Sequence, residues 1–261
     1  MLSVIIVNFN TKNDLELCLY SLRQNLSITS EIIVVDNASQ DGSQTLVRNV
    51  FSEVTLISLD KNIGFGAANN IGIQNSVGDI IWFLNSDTKI LADPFKVLTF
   101  FDRNPRVGII GTKLVLPSGE TQNYICGDFH NLITPVLKLV PFRPHCWDSQ
   151  EKCLVDWVTG ASMFVRRRVT EKINGFDENF FMYFEDQDFC RRVKEEGFSV
   201  FYYPDYKVVH KCGASFKGNR KRAKKLYYQS MRYFFRKHRS PWQSFLINKL
   251  LSIWEKFNLQ G

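Results

Sequence analysis

Asp79-Ile80-Ile81-Trp82-Phe83-Leu84-Asn85-Ser86-Asp87 is the stretch that decides the fold. A short apolar run bounded by polar residues reads as a strand buried on both faces, the habit of parallel sheets. The run ends in a polar cluster that closes on a carboxylate. Two upstream runs have the same form: Val4 to Val7, ending in Asn8-Phe9-Asn10, and Glu31 to Val35, ending in Asp36-Asn37-Ala38-Ser39. Between them Leu15, Cys18, Leu19, Leu22 and Leu26 recur at helical spacing, with Asn13 or Asp14 as N-cap. Such alternation from Ser3 to Leu98 predicts an α/β fold, a mostly parallel sheet flanked by helices. Ligands of open parallel sheets bind beyond the carboxyl ends of the strands, so three polar clusters at three strand ends point to one site.

Downstream, a weaker strand at Val54 to Ser58 leads into a Gly-containing loop, Lys61 to Asn70, and a small-residue helix. A helix follows Asp93-Pro94, and Val107 to Ile110 and Thr112 to Leu116 read as two strands before a turn at Pro117-Ser118-Gly119. Asn123 to Gln150 has no clear periodicity and is expected to be an insertion or mobile loop over the site. Trp157 to Arg166 and Ser199 to Tyr203 read as strands. Glu185 to Glu196 reads as a helix stopped by Gly197.

The composition, 44% hydrophobic, 23% charged and 14% aromatic over 261 residues, is that of a globular chain and excludes disordered and low-complexity classes. Six cysteines without a C-x-x-C pair suggest reduced thiols in a cytoplasmic protein. His130, His145, Cys146 and Cys153 are too irregularly spaced to read as a zinc site. The N-terminus reads as a first strand rather than a signal peptide, and no apolar run is long enough to span a bilayer. Between Lys217 and Arg239 lie ten positive residues and no acid, which leaves the rest of the chain at −3 against a total of +7.

Six acidic or basic residues, in four places along the chain, carry candidate chemistry. Asp36 at a strand end suits a ribose hydroxyl or base N–H, or simply a helix cap. Asp87 suits a divalent cation that in turn neutralises a pyrophosphate, or again a cap. Glu185-Asp186-Gln187-Asp188 follows the aromatic stretch Phe180 to Phe184, where burial can raise a carboxyl pKa toward that of a general base. Acids are also favoured in any first helical turn. Glu185 and Asp188, three apart, can share a face. His210 is either a metal or phosphate ligand or structural. Motifs for P-loop ATPases, serine hydrolases and zincins are missing.

In order, Val4 to Asn10, Val35 to Ser43, Asn62 to Asn70, Leu84 to Thr88, Thr159-Gly160-Ala161-Ser162-Met163, Gly175 to Phe181 and Glu185 to Asp188 resemble the family 2 glycosyltransferases of GT-A fold. The likeness spans about residues 2 to 215 and is strongest to the bacterial rhamnosyltransferase-like branch, which builds surface polysaccharides from dTDP-rhamnose. It implies an inverting transfer from a nucleotide-diphosphate sugar to a hydroxyl of a saccharide or lipid-linked saccharide. It also implies that Asp36, Asn8, Asn10, Asn62, Gly64, Asn69, Asn85 and Ser86 surround the nucleotide-sugar. Asp87 takes the place of the last acid of the family's D-x-D motif, Asn85 replaces the first, and His210 falls at a metal-binding histidine, so Mg²⁺ or Mn²⁺ is implied. Asp186 matches the general base, flanked by Glu185 and Asp188.

The expected organisation is a GT-A domain over 1–216 and a basic helical extension over 217–261. In the extension Leu226, Tyr227, Tyr228, Met231, Phe234 and Phe235 suit either an amphipathic helix on the anionic inner face of the plasma membrane or packing onto the domain. Nucleic-acid binding ignores the acidic constellation. A sugar-phosphate nucleotidyltransferase would open with a Gly-rich, Arg-containing loop, and Asn8-Phe9-Asn10-Thr11-Lys12 is not one. The alternative from outside enzymes is a nucleotide-sugar or membrane-surface binding module without turnover.

Overall fold

Leu2, Val4, Ile5 and Ile6 are completely buried in strand β1 (Leu2–Asn8), the centre from which the sheet grows. The computed structural model describes residues 1–129, 146–212 and 220–259, with the side chains of Arg220 and of 253–259 left aside. β1 pairs in parallel with β2 (Ser30–Asp36) and β4 (Ile80–Leu84), and β2 with β3 (Thr55–Ser58). The three predicted strand ends therefore lie side by side. Helix α1 (Lys12–Asn25) buries Leu15, Cys18, Leu19 and Leu22, each leucine contributing about 1.5–3 kcal/mol. Its first turn is not capped by Asn13 or Asp14: Asp41 accepts the Lys12 N–H at 2.8 Å, and Asp14 pairs with Lys211 at 2.6 Å. Helices α2 (Ser43–Val50) and α3 (Phe65–Gln74) complete the first half.

Beyond β4 the sheet becomes mixed. β5 (Thr88–Ile90) and α4 (Phe95–Arg103) precede β6 (Val107–Val115), one continuous buried strand where two were expected. β7 (Cys126–Gly127) pairs with β9 (Trp157–Val158), and β8 (Cys153–Val155) with the long β11 (Ser199–His210). β10 (Ser162–Arg166) runs antiparallel between β4 and β6, giving the order β3-β2-β1-β4-β10-β6-β11-β5. Thr159, Gly160 and Ala161 break the expected Trp157–Arg166 strand in two, and the Ala161 carbonyl accepts the Asn85 N–H at 3.0 Å. Most of the aperiodic stretch from Asn123 to Gln150, with His130 and His145, lies outside the described residues.

After α5 (Arg167–Lys172) and α6 (Glu185–Glu195), the chain ends in a hairpin of α7 (Arg220–His238) and α8 (Pro241–Leu259). Tyr228, Met231, Phe234 and Phe235 of α7 form a second hydrophobic cluster with Phe180 and Phe184 and with Ile247 and Leu251 of α8. Tyr228, Met231, Phe234 and Phe235 thus pack on the domain, while Leu226 is half-buried and Tyr227 is exposed. No described helix is long and apolar enough to cross a membrane.

Candidate active site

A cavity of about 710 Å³ opens at the carboxyl ends of β1, β2 and β4. One wall carries Asn85, Ser86, Asp87 and His210. The antiparallel register of β11 on β5 sets His210 opposite Thr88, which brings its Nε2 to 3.1 Å from Asp87 Oδ1 and 3.3 Å from Asn85 Nδ2. Gln122 fixes the ring from the other side, 2.8 Å from Nδ1. Burial alone would lower the His210 pKa, but the Asp87 carboxylate and Cys212 reverse this and raise it to about 9.

Another part of the lining is the first turn of α6. Tyr183 and Phe184 both have positive φ, 70° and 66°, a conformation that costs bulky residues energy and is concentrated at functional sites. It turns the chain so that Glu185 and Asp186 both line the cavity. Asp186 is half-buried and accepts the Gly160 N–H at 3.1 Å, the Gln187 N–H at 2.8 Å and a bond from the Thr159 side chain. Glu185 is buried, and its Oε2 has no partner among the described residues. Burial raises both carboxyls, and the Asp186 charge pushes Glu185 further. The hydrogen bonds that favour a carboxylate gather on Asp186, which makes it the better placed of the two to carry the charge.

The floor depends on Asn37, whose Nδ2 donates to Asn62 Oδ1 and the Gly64 carbonyl while its Oδ1 accepts the Ile63 N–H. Gly64 has φ +94°, and a Cβ there would stand 2.6 Å from the Phe181 carbonyl oxygen. Only glycine suits both conditions.

Several expected site residues stand behind this wall. Asp36 is fully buried, with Oδ2 accepting Asn8 Nδ2 and Oδ1 accepting the Ser39 N–H and Gln44 Nε2. Asn8 also accepts the Thr11 hydroxyl, and Asn10 closes the loop by accepting the Gln40 N–H. Asn69 donates to the Phe65 carbonyl within its own helix. Asp188 does not line the cavity with Glu185. Its buried carboxylate faces the C-terminal hairpin, bonded to Arg192 at 2.8 Å and to Lys237 and His238 at 2.7 Å. Conversely, Val7, Phe9, Arg222 and Tyr227 line the cavity though none was expected there, Tyr227 having been read only as part of the apolar face of the extension; Tyr124 and Trp157 line it too. Apolar side chains carry no chemical signature in a sequence, and Arg222 sat unremarked within a basic run.

The sequence signature of glycosyl transferase family 2 matches residues 3–172, and that of the N-terminal domain of galactosyltransferase matches 153–211. An N-acetylglucosaminyl-diphospho-decaprenol L-rhamnosyltransferase of Mycobacterium tuberculosis is 26% identical over 234 residues, covering 80% of this chain and 76% of the relative. A dTDP-rhamnosyl transferase of Shigella flexneri is 25% identical, covering 70% and 60%. A mannosyltransferase of Pyrobaculum calidifontis, solved with GDP-mannose and Mn²⁺, superposes with a TM-score of 0.62 at 17% identity, covering 95% of this chain and 68% of that one. With more than half its length matched and the GT-A sheet in place, the chain belongs to glycosyl transferase family 2, on its rhamnosyltransferase-like side.

Proposed function

We propose that this glycosyltransferase moves rhamnose from dTDP-rhamnose onto a hydroxyl of a lipid-linked saccharide, with inversion at the anomeric carbon, in the synthesis of a surface polysaccharide. The observation that carries the reading is that one cavity is lined both by Asn85, Asp87 and His210 and by Glu185 and Asp186. The rhamnosyl donor and the lipid-linked acceptor rest on the activities of the relatives.

The first group fits a divalent cation. Asn85 Oδ1 is buried with no partner among the described residues, beside the close Asp87–His210 pair. Two oxygens and an imidazole nitrogen suit Mg²⁺ or Mn²⁺. Among the described residues no three His, Cys, Asp or Glu side chains converge on a point, so the donor diphosphate would complete the ligand set. When bound, the cation offsets the charge that grows on the departing diphosphate. Arg222, reaching the cavity from α7, adds positive charge to the same region.

Asp186 accepts the acceptor hydroxyl proton as that oxygen attacks the anomeric carbon in line. Glu185, neutral beside it, adds no second negative charge to the acceptor side. The aromatic wall of Phe181, Tyr183, Phe184 and Trp157 excludes water that would hydrolyse the donor. The test is turnover and donor binding by Asp186→Asn: turnover falls about a hundredfold or more, while dTDP still raises the melting temperature in a metal-dependent way. Turnover within tenfold of wild type would remove Asp186 as base.

A specific feature favours contact with the membrane that carries such an acceptor. On α8 Trp242, Phe245, Leu246 and Leu250 are exposed at i, i+3, i+4 and i+8 with Lys249 among them, opposite the buried Ser244, Ile247 and Leu251. Lys221, Lys224, Lys225 and Arg236 of the neighbouring α7 are exposed too. An apolar stripe beside basic residues suits the interface of an anionic leaflet, here the inner face of the plasma membrane.

A further inference from the structure

Outside the sugar-transfer cavity the described cysteines are not evenly spread. Cys126 and Cys146, 20 residues apart, bring their sulfurs to 2.8 Å. Each is seated independently of the other. Cys126 lies fully buried in β7, opposite Val158 of β9, and hydrogen bonds on both sides fix that strand: the Asp156 N–H donates to the Gly127 carbonyl and the Thr159 N–H to the Ile125 carbonyl, both at 2.8 Å. Cys146 opens a short 3-10 turn anchored by Trp147, whose carbonyl accepts the Tyr202 hydroxyl at 3.1 Å and whose ring stands 5.0 Å from that of Tyr124.

We propose that Cys126 and Cys146 form a thiol–disulfide exchange site, which takes a low-molecular-weight disulfide such as oxidised glutathione and closes reversibly into an intramolecular disulfide. The two cysteines differ in a way that assigns their roles. Cys146 is partly exposed and its sulfur accepts the Cys126 thiol proton, which lowers its pKa, whereas that same bond and burial raise Cys126. The thiolate is the attacking species. Cys146 attacks one sulfur of the glutathione disulfide and displaces one glutathione thiolate, which takes up the Cys126 proton. The Cys126 thiolate, already in contact, then attacks the Cys146 sulfur and displaces the second glutathione as a thiolate, which takes from solvent the proton that Cys146 released on ionising. The protein loses two electrons and one disulfide is reduced to two thiols.

The pair is linked to the sugar-transfer cavity by short paths. Tyr124, two residues before Cys126, lines the cavity and lies against Trp147, and Trp157, paired with Gly127, lines it too. A partly exposed third thiol, Cys153 in β8, is the competing partner.

The test is to equilibrate the full chain with glutathione buffers of rising disulfide content, quench with acid, unfold, alkylate and map the peptides. The expected result is a loss of the mass of two hydrogen atoms, four of the six cysteines open to alkylation, and a cross-linked peptide joining Cys126 to Cys146. Cys146→Ser should abolish the cross-link, and Cys126→Ser should trap glutathione on Cys146. Should Cys126→Ser fail to fold, the wild-type map and Cys146→Ser decide. Six open cysteines at the most oxidising poise, a bond mapped to Cys153, or stoichiometric zinc that shields the thiols would each overturn the proposal.

Discussion

Replacing Asp188 by Asn separates a catalytic role from an architectural one. The Asp188 carboxylate is completely buried and holds three cationic or proton-bearing partners: Arg192 from its own helix, and Lys237 and His238 from the end of α7. Burial by itself raises its pKa, but the His238 bond, Arg192 and Lys237 together hold it below the usual carboxylate value. Removing one side of a buried ion pair costs about 3–5 kcal/mol, because the partner charges stay behind unpaired. The Arg192 and Lys237 side chains keep 18% and 26% of their exposure, so water screens part of the loss and the lower end, about 3 kcal/mol, applies. The amide also turns an NH₂ toward one set of donors. For a domain of this size that corresponds to about 6–12 °C in melting temperature. The sign with pH follows from the depressed pKa: the stabilisation is present above the unfolded value of about 3.9 and is lost as pH falls through the folded value. The wild-type and Asp188→Asn unfolding curves, measured by urea denaturation from neutral to acid pH, should therefore differ most near neutrality and converge in acid. Turnover per folded molecule, assayed well below the melting temperature, should stay within a few-fold of wild type. An Asp188→Asn protein of unchanged stability that has lost turnover would refute this reasoning and return Asp188 to the active site.

Glu185→Gln should keep near wild-type turnover at neutral pH, since the amide mimics the protonated acid beside an ionised Asp186, and the rise of rate with pH should stay where it is. Loss of turnover comparable to that of Asp186→Asn would make Glu185 the base. Because burial raises the folded Glu185 pKa, wild-type stability should drain away as pH climbs from about 4.3, the unfolded value, through the folded one. The Gln variant should lose less over that range. For the α8 stripe, Phe245→Glu with Leu246→Glu should release the protein from vesicles containing anionic lipid while leaving its melting temperature within a few degrees, both side chains being exposed. Sedimentation with vesicles measures this, and unchanged binding would dismiss α8 as the membrane face.

The Asp188 cluster also marks a limit of sequence reading. Asp188 stands in the densest acidic run of the chain, and residue type alone cannot tell a catalytic carboxylate from one that clamps a helix. Its partners Lys237 and His238 are about 50 positions away, and only the return of α7 onto Phe180 and Phe184 brings them in. The same holds for the α7 aromatics, since an apolar face at helical spacing is equally compatible with a core and with lipid. Asp36 shows the reverse case: its place at a strand end was legible, but its bonds to Asn8, Ser39 and Gln44 depended on how three separate segments meet.

What the sequence by itself determined is the alternation of buried runs with amphipathic helices, and with it the alignment of Asn8, Asp36 and Asn85 at neighbouring strand ends. Those features follow from local periodicity, which one segment carries alone. Tertiary structure alone decided the pairing of His210 with Asp87 across 123 positions through the β11–β5 register, and the turn at Tyr183 and Phe184 that sends Asp186 and Glu185 into the cavity. It also decided the contact between Cys126 and Cys146. Each of these depends on which long-range contacts win the competition for burial, a property of the whole chain.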